Sequence, residues 1–239
     1  MSVEEHEAVS MDIWGHIGEL RIRLLKALIA LILTTFASFA LTQNFIRILA
    51  VPMGGLANLQ SIDVTENIGV FMRVALLSGF ILAMPVIAYQ LVSFVMPGLE
   101  RNEKRWLLLA IPAATLLFLS GVAFAYFIML PSAIPFLTTF LGVKTTPRLS
   151  NFINFVTNLL FWIGISFEMP LLVFVLAKLR LVSAGLLARQ WRVAIVVIAV
   201  IAAVVTPTVD PVNMGLMMLP LMVLYVLSII LAKIARPRG

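Results

Sequence analysis

Residues 154–177 read NFVTNLLFWIGISFEMPLLVFVLA, and the one charged residue among them is Glu168. A run of 24 residues this apolar is long enough to cross a hydrocarbon core of about 30 Å, for which roughly 20 suffice. Read as a helix, it places Thr157, Phe161, Gly164 and Glu168 on one face, with Asn154 close to it. Small and polar stripes in apolar helices face protein or water rather than lipid. A charged group near the centre of a span costs at least about 2.5–3.5 kcal/mol on insertion scales. Pro170 has no N–H to give to the carbonyl of Ser166, so a free carbonyl is expected beside the carboxyl. Two readings follow. Glu168 makes a hydrogen bond to a neighbouring helix that only fixes packing, or it is a functional polar site inside the bilayer.

The rest of the chain has the same character. It is 62% hydrophobic and 12% charged over 239 residues, with a mean hydropathy of +1.10. Soluble domains are about half apolar and a quarter charged, so the fold class is all-α, a polytopic helical membrane protein. The chain has no cysteine, which excludes disulfides and thiolate metal sites. Both histidines, His6 and His16, precede the first apolar run. The acidic start MSVEEHEAVS does not resemble a cleavable signal peptide. The first span is therefore expected to direct insertion itself. No internal repeat or low-complexity tract is visible.

Six spans are read at about 24–43, 70–93, 106–129, 155–177, 193–206 and 212–232, after an amphipathic lead-in at 11–23. The fifth holds thirteen apolar residues before Thr206-Pro207 and covers only about 20 Å at ~1.5 Å per residue. It is either a short span in a thinned bilayer or one arm of a re-entrant hairpin. With the N-terminus inside, 13 Lys and Arg fall on the inner side and 4 on the outer. This bias places both termini in the cytoplasm and accounts for much of the net charge of +6. The outer loops, 44–69 and 130–154, carry Pro52, Gly54, Gly55, Pro131, Pro135, Gly142 and Pro147 and are expected to form a partly helical cap. In DVTEN, Asp63 and Glu66 have the spacing of a helix N-terminal cap.

Two further charged groups stand out. In MDIWGHIGELRIRLL, Ile13, Ile17, Leu20 and Leu24 share one helical face, and Asp12, His16, Glu19 and Arg23 share another. Glu19 and Arg23 can pair at i,i+4, worth a few tenths of a kcal/mol. In FVMPGLERNEKRW, Glu100 and Glu103 fall in the first turns of the third span, where the helix dipole favours negative charge. That is a sufficient structural reason for both. The functional alternative joins Glu19 and Glu103 in one acidic patch on the cytoplasmic face, suited to a basic peptide because arginine forks match carboxylates.

No HExxH, GxGD, intramembrane Ser–His pair or Gly-rich phosphate loop is present, so an enzyme is not expected. Arg73 lies near the outer end of its span, where its side chain can snorkel. With essentially one ionisable group at the centre of the spans, a proton-coupled small-solute transporter using Glu168 is the weaker alternative. A binding platform for helices or peptides remains.

Five motifs, in order, resemble the TatC family, the receptor subunit of the twin-arginine protein translocase. They are HIGELRIRL (16–24), MPVIAYQLVSFVMPGLERNEKR (84–105), AFAYFIMLP (123–131), ISFEMP (165–170) and VVTPTVD (204–210). The resemblance implies a glove-shaped bundle of six transmembrane helices with short fifth and sixth helices, in the cytoplasmic (inner) membrane. It implies that Glu19 and Glu103, with Phe94 and Arg21 nearby, bind the paired arginines of a signal peptide. It implies that Glu168 lines a concave, water-accessible face where the signal peptide and single-span partners of the TatA/TatB type dock. Thr208, Asp210 and Asn213 are the matching candidates for a partner-helix contact, although Met214 stands where the family pattern calls for a polar residue. Further implications are several copies within a hetero-complex, energy from the proton-motive force, no cofactor, no metal and no nucleic-acid partner.

Overall fold

The computed structural model describes residues 13–95, 101–139, 146–205 and 211–235. Ten α-helices carry the described residues: α1 Ile13–Ser38, α2 Thr42–Ala50, α3 Glu66–Val95, α4 Arg101–Phe124, α5 Leu130–Thr139, α6 Leu149–Phe167, α7 Met169–Lys178, α8 Ala184–Arg189, α9 Trp191–Val205 and α10 Pro211–Ala235. Among the described residues the only β-type pairing is an isolated bridge between Gln60 and Arg148. Four segments are long and apolar enough to cross a membrane: Glu66–Val95, Leu109–Pro135, Leu149–Lys178 and Met217–Ala235. Ile17–Ser38 qualifies together with Thr42–Met53, the two meeting at 80°. The fifth apolar helix, α9, has 15 residues and reaches only about 22 Å.

Two expectations need correction. The sixth helix is not short, since α10 runs for 25 residues. Pro211 begins it, at a position where the missing N–H costs nothing. The third span does not end at 129. The helix continues through a π-helical turn, Ala125–Met129, into α5. Leu130 N–H bonds the carbonyl of Ala125 there. The wider turn passes the chain over Pro131, and hydroxyls cover carbonyls beyond it. Ser132 Oγ donates to Ile128 O at 2.8 Å and Thr139 Oγ1 to Pro135 O at 2.7 Å.

Helix contacts use small residues, as expected where lipid tails supply no hydrophobic drive. α1 and α3 run antiparallel. Thr34 Oγ1 donates to Gly79 O at 2.8 Å and Ser38 Oγ to Ala75 O at 2.8 Å. A side chain at Gly79 would meet the Thr35 backbone, 2.6 Å from its Cα. On α6, a Cβ at Gly164 would lie 2.6 Å from the Phe118 ring of α4. Phe80 joins the layers, with ring centroids 5.6 Å from Phe118 and 5.1 Å from Phe161.

The outer cap is built as its sequence suggests and is tied across the chain. Glu66 accepts from the N–H groups of Ile62 at 3.0 Å and Asp63 at 3.3 Å, the second half of a capping box. It also accepts from Arg148 Nε at 2.9 Å and Ser150 N at 2.6 Å. Gln60 N donates to Pro147 O at 3.2 Å, and Leu149 N to Gln60 O at 2.8 Å. These bonds join the two outer loops. Tyr126 Oη adds a bond to Ile48 O of α2 at 2.7 Å.

Candidate functional site

At the cytoplasmic end, α1 presents Glu19 one turn before Arg23. Arg23 Nε donates to Glu19 Oε1 at 2.8 Å and Nη2 to the same oxygen at 2.5 Å. The i,i+4 pair is therefore formed. The other carboxylate oxygen, Oε2, is buried with no hydrogen-bond partner among the described residues. The register set by the Thr34–Gly79 and Ser38–Ala75 bonds, carried down the pair, sets Glu19 level with Phe94 of α3. It likewise sets Arg23 level with Gln90. Phe94 is half-buried and Arg21 exposed. Gln90 Oε1 is also buried with no partner among the described residues. Sequence reading passed over Gln90, although it lies one helical turn from Phe94 on the same face. Glu103 lies in the first turn of α4, and its side chain is outside the described residues, as are those of Asp12 and His16.

Inside the bilayer, Glu168 sits at the break between α6 and α7. Its N–H bonds Ile165 O at 3.0 Å, the spacing of a tight turn, and its carbonyl accepts from Leu172 N at 2.9 Å. Pro170, in the first turn of α7, explains why the helix restarts here. The side chain is 8% exposed and lies beside the Phe118 backbone of α4. Its Oε1 has no hydrogen-bond partner among the described residues. Glu168 is thus covered by protein, not open on the water-accessible face that the resemblance implied. The polar stripe of α6 divides between two neighbours. Gly164 packs on Phe118 of α4, whereas Thr157 accepts from Arg73 Nε of α3 at 2.9 Å. Thr208 and Asp210 lie outside the described residues, as does the side chain of Asn213. No group of three or more His, Cys, Asp or Glu able to hold a metal occurs among the described residues.

Residues 15–220 match the family described as Sec-independent protein translocase protein (TatC). The chain belongs to the TatC family. It is 34% identical over 231 residues to the Sec-independent protein translocase protein TatC of Carboxydothermus hydrogenoformans, covering 95% of each chain. It is 36% identical over 232 residues to that of Aquifex aeolicus, covering 94% of this chain and 96% of the relative. The fold is similar to a crystal structure of the twin-arginine translocase receptor TatC, with a TM-score of 0.82 at 36% identity, over 92% of this chain and 99% of the other. A second crystal structure of that receptor, in DDM, gives 0.83 at 34% identity, over 91% and 99%. This TatC chain is therefore a multi-pass inner-membrane protein and a component of the Sec-independent protein translocase. That membership displaces the solute-transporter reading.

Proposed function

We propose that this TatC chain is the receptor that holds the paired arginines of a signal peptide at its cytoplasmic face. Glu19 and Glu103 supply the carboxylates, with Phe94 and Arg21 at the rim. The observation that carries this reading is the pair of buried acceptors, Glu19 Oε2 and Gln90 Oε1, that meet no donor among the described residues. A guanidinium brings five N–H donors in a flat fork. Arg23 already occupies one oxygen of Glu19, so an incoming arginine takes the other, and Gln90 accepts beside it. Each charge-assisted bond contributes about 1.5–3 kcal/mol. Lysine keeps the charge without the fork.

Glu168 is the second station. Covered in the chain alone, it becomes the polar partner of an inserted signal peptide, or of a partner helix of the TatA/TatB type, when the helices over it move. Thr208, Asp210 and Asn213 form a further partner contact. The chain acts without cofactor or bond-making chemistry, as one of several copies in a hetero-complex, and the proton-motive force drives translocation.

The test is binding of a labelled twin-arginine signal peptide to the purified chain in detergent, against its twin-lysine counterpart. Twin-arginine should bind at least about tenfold tighter, a difference of about 1.4 kcal/mol. Glu19→Ala, Glu103→Ala and Gln90→Leu should each reduce that preference. Unchanged binding in both glutamate variants would remove the acidic site.

A further inference from the structure

Arg73 is held in a way that snorkelling alone does not explain. Its Nε donates to Thr157 Oγ1 at 2.9 Å and its Nη2 to Asn158 Oδ1 at 2.8 Å. These two nitrogens form one edge of the guanidinium. The end fork, made by Nη1 and the second hydrogen of Nη2, has no protein acceptor among the described residues. Both acceptors on the occupied edge are neutral, so the charge is oriented but not neutralised. Glu66 lies seven residues earlier on the same face of α3, about 10 Å away along the axis. Its carboxylate is already matched by Arg148 at 2.9 Å. The described residues place no other carboxylate in ion-pair reach of Arg73.

Arg73 lines a groove of about 720 Å³ between α1, α3 and α6. The groove is graded. Its outer end carries Arg73, Thr157 and Asn158, and its walls toward the bilayer centre are Leu31, Leu76, Phe80 and Phe161, with the Thr35 hydroxyl among them donating to Leu31 O at 2.7 Å. Phe80 lies seven residues deeper than Arg73 on α3, again about 10 Å. Polar outside and apolar inside is the polarity of a lipid in the outer leaflet. Guanidinium forks match phosphate bidentately, and a cation beside apolar walls selects an anion that brings a hydrocarbon tail.

We propose that this groove is a binding site for an anionic phospholipid of the outer leaflet, its phosphate on the free fork of Arg73 and one acyl chain along Leu76, Phe80 and Phe161. Thr157 and Asn158 act as positioning residues that aim the fork. The site is separate from Glu168, which lies eleven residues deeper on α6 than Thr157, about 16 Å.

Native mass spectrometry of the purified full chain, loaded with phosphatidylglycerol and phosphatidylcholine in equal amounts, reads the site. The unmodified chain should retain phosphatidylglycerol preferentially. Arg73→Gln should reduce that retention about tenfold, and Arg73→Lys by less, since the ammonium keeps the charge. Leu76→Trp obstructs the groove from its exposed wall while keeping the arginine, and should reduce retention comparably. It also tests the site if Arg73→Gln fails to fold. Full retention by a folded Arg73→Gln, or by Leu76→Trp, would overturn the proposal and leave only annular lipid. Displacement of the lipid by millimolar glycerol 3-phosphate would overturn it in favour of a free phosphate.

Discussion

Glu66 and Glu168 are buried to the same degree, at 7% and 8% exposure, yet their circumstances are opposite. Glu66 collects four donors: the backbone N–H groups of Ile62, Asp63 and Ser150, and the guanidinium of Arg148. Glu168 has an oxygen with none among the described residues. A carboxylate with a full set of donors is a structural joint, here between the two outer loops. A buried polar atom with no partner costs roughly 1–3 kcal/mol. Burial alone does not distinguish the two carboxylates; the count of donors among the described residues does.

The comparison can be broken from either side. The largest effect is expected at Arg148→Ala, which strips the charged partner from Glu66 and loosens the cap. The unfolding temperature in detergent should fall by at least about 5 °C, with signal-peptide binding retained by the folded fraction. A smaller change would show the cap to be held by its backbone bonds alone. Next is Gly164→Ala, beside the other carboxylate. The new methyl would lie 2.6 Å from the Phe118 ring, so α4 and α6 must separate, at about 1–3 kcal/mol. Equilibrium unfolding measures it, and a neutral result would mean that the contact over Glu168 is soft. The smallest effect is at Arg180, which has φ +62° just past α7. Leu181 N bonds Leu176 O at 3.0 Å and Arg180 N bonds Ala177 O at 3.1 Å, a helix stop in which glycine is usual. Arg180→Gly should stabilise the chain by about 1 kcal/mol without changing transport, because it lies apart from both carboxylates.

The isolation of Glu168 was legible, because an acid in an uninterrupted apolar run needs a reason wherever the helix packs. The capping role of Glu66 was legible too, since capping is local and DVTEN contains both partners. The bonds from Glu66 to Arg148 and Ser150 were not. They join positions more than 80 apart, and no local spacing encodes them. Arg73 was read as a snorkelling end residue for the same reason. Only the register of α3 against α6 shows that Thr157 and Asn158 hold it. Pro131 and Pro135 were read as loop breakers, and the π turn before them, which has no clear sequence signature, carries the helix past both. At the cytoplasmic end, Glu19 and Arg23 were a readable pair, whereas Gln90 becomes notable only when α1 is laid against α3.

On the proposed function, Glu66 serves the fold and Glu168 serves translocation. The most direct measurement compares Glu66→Gln and Glu168→Gln for unfolding temperature in detergent and for transport of a twin-arginine cargo by the assembled translocase. Glu66→Gln should lower the unfolding temperature more of the two. Glu168→Gln should stay within about 2 °C of the unmodified chain and lose most of its transport. A Glu168→Gln chain that unfolds as readily as Glu66→Gln, or that transports normally, would contradict it.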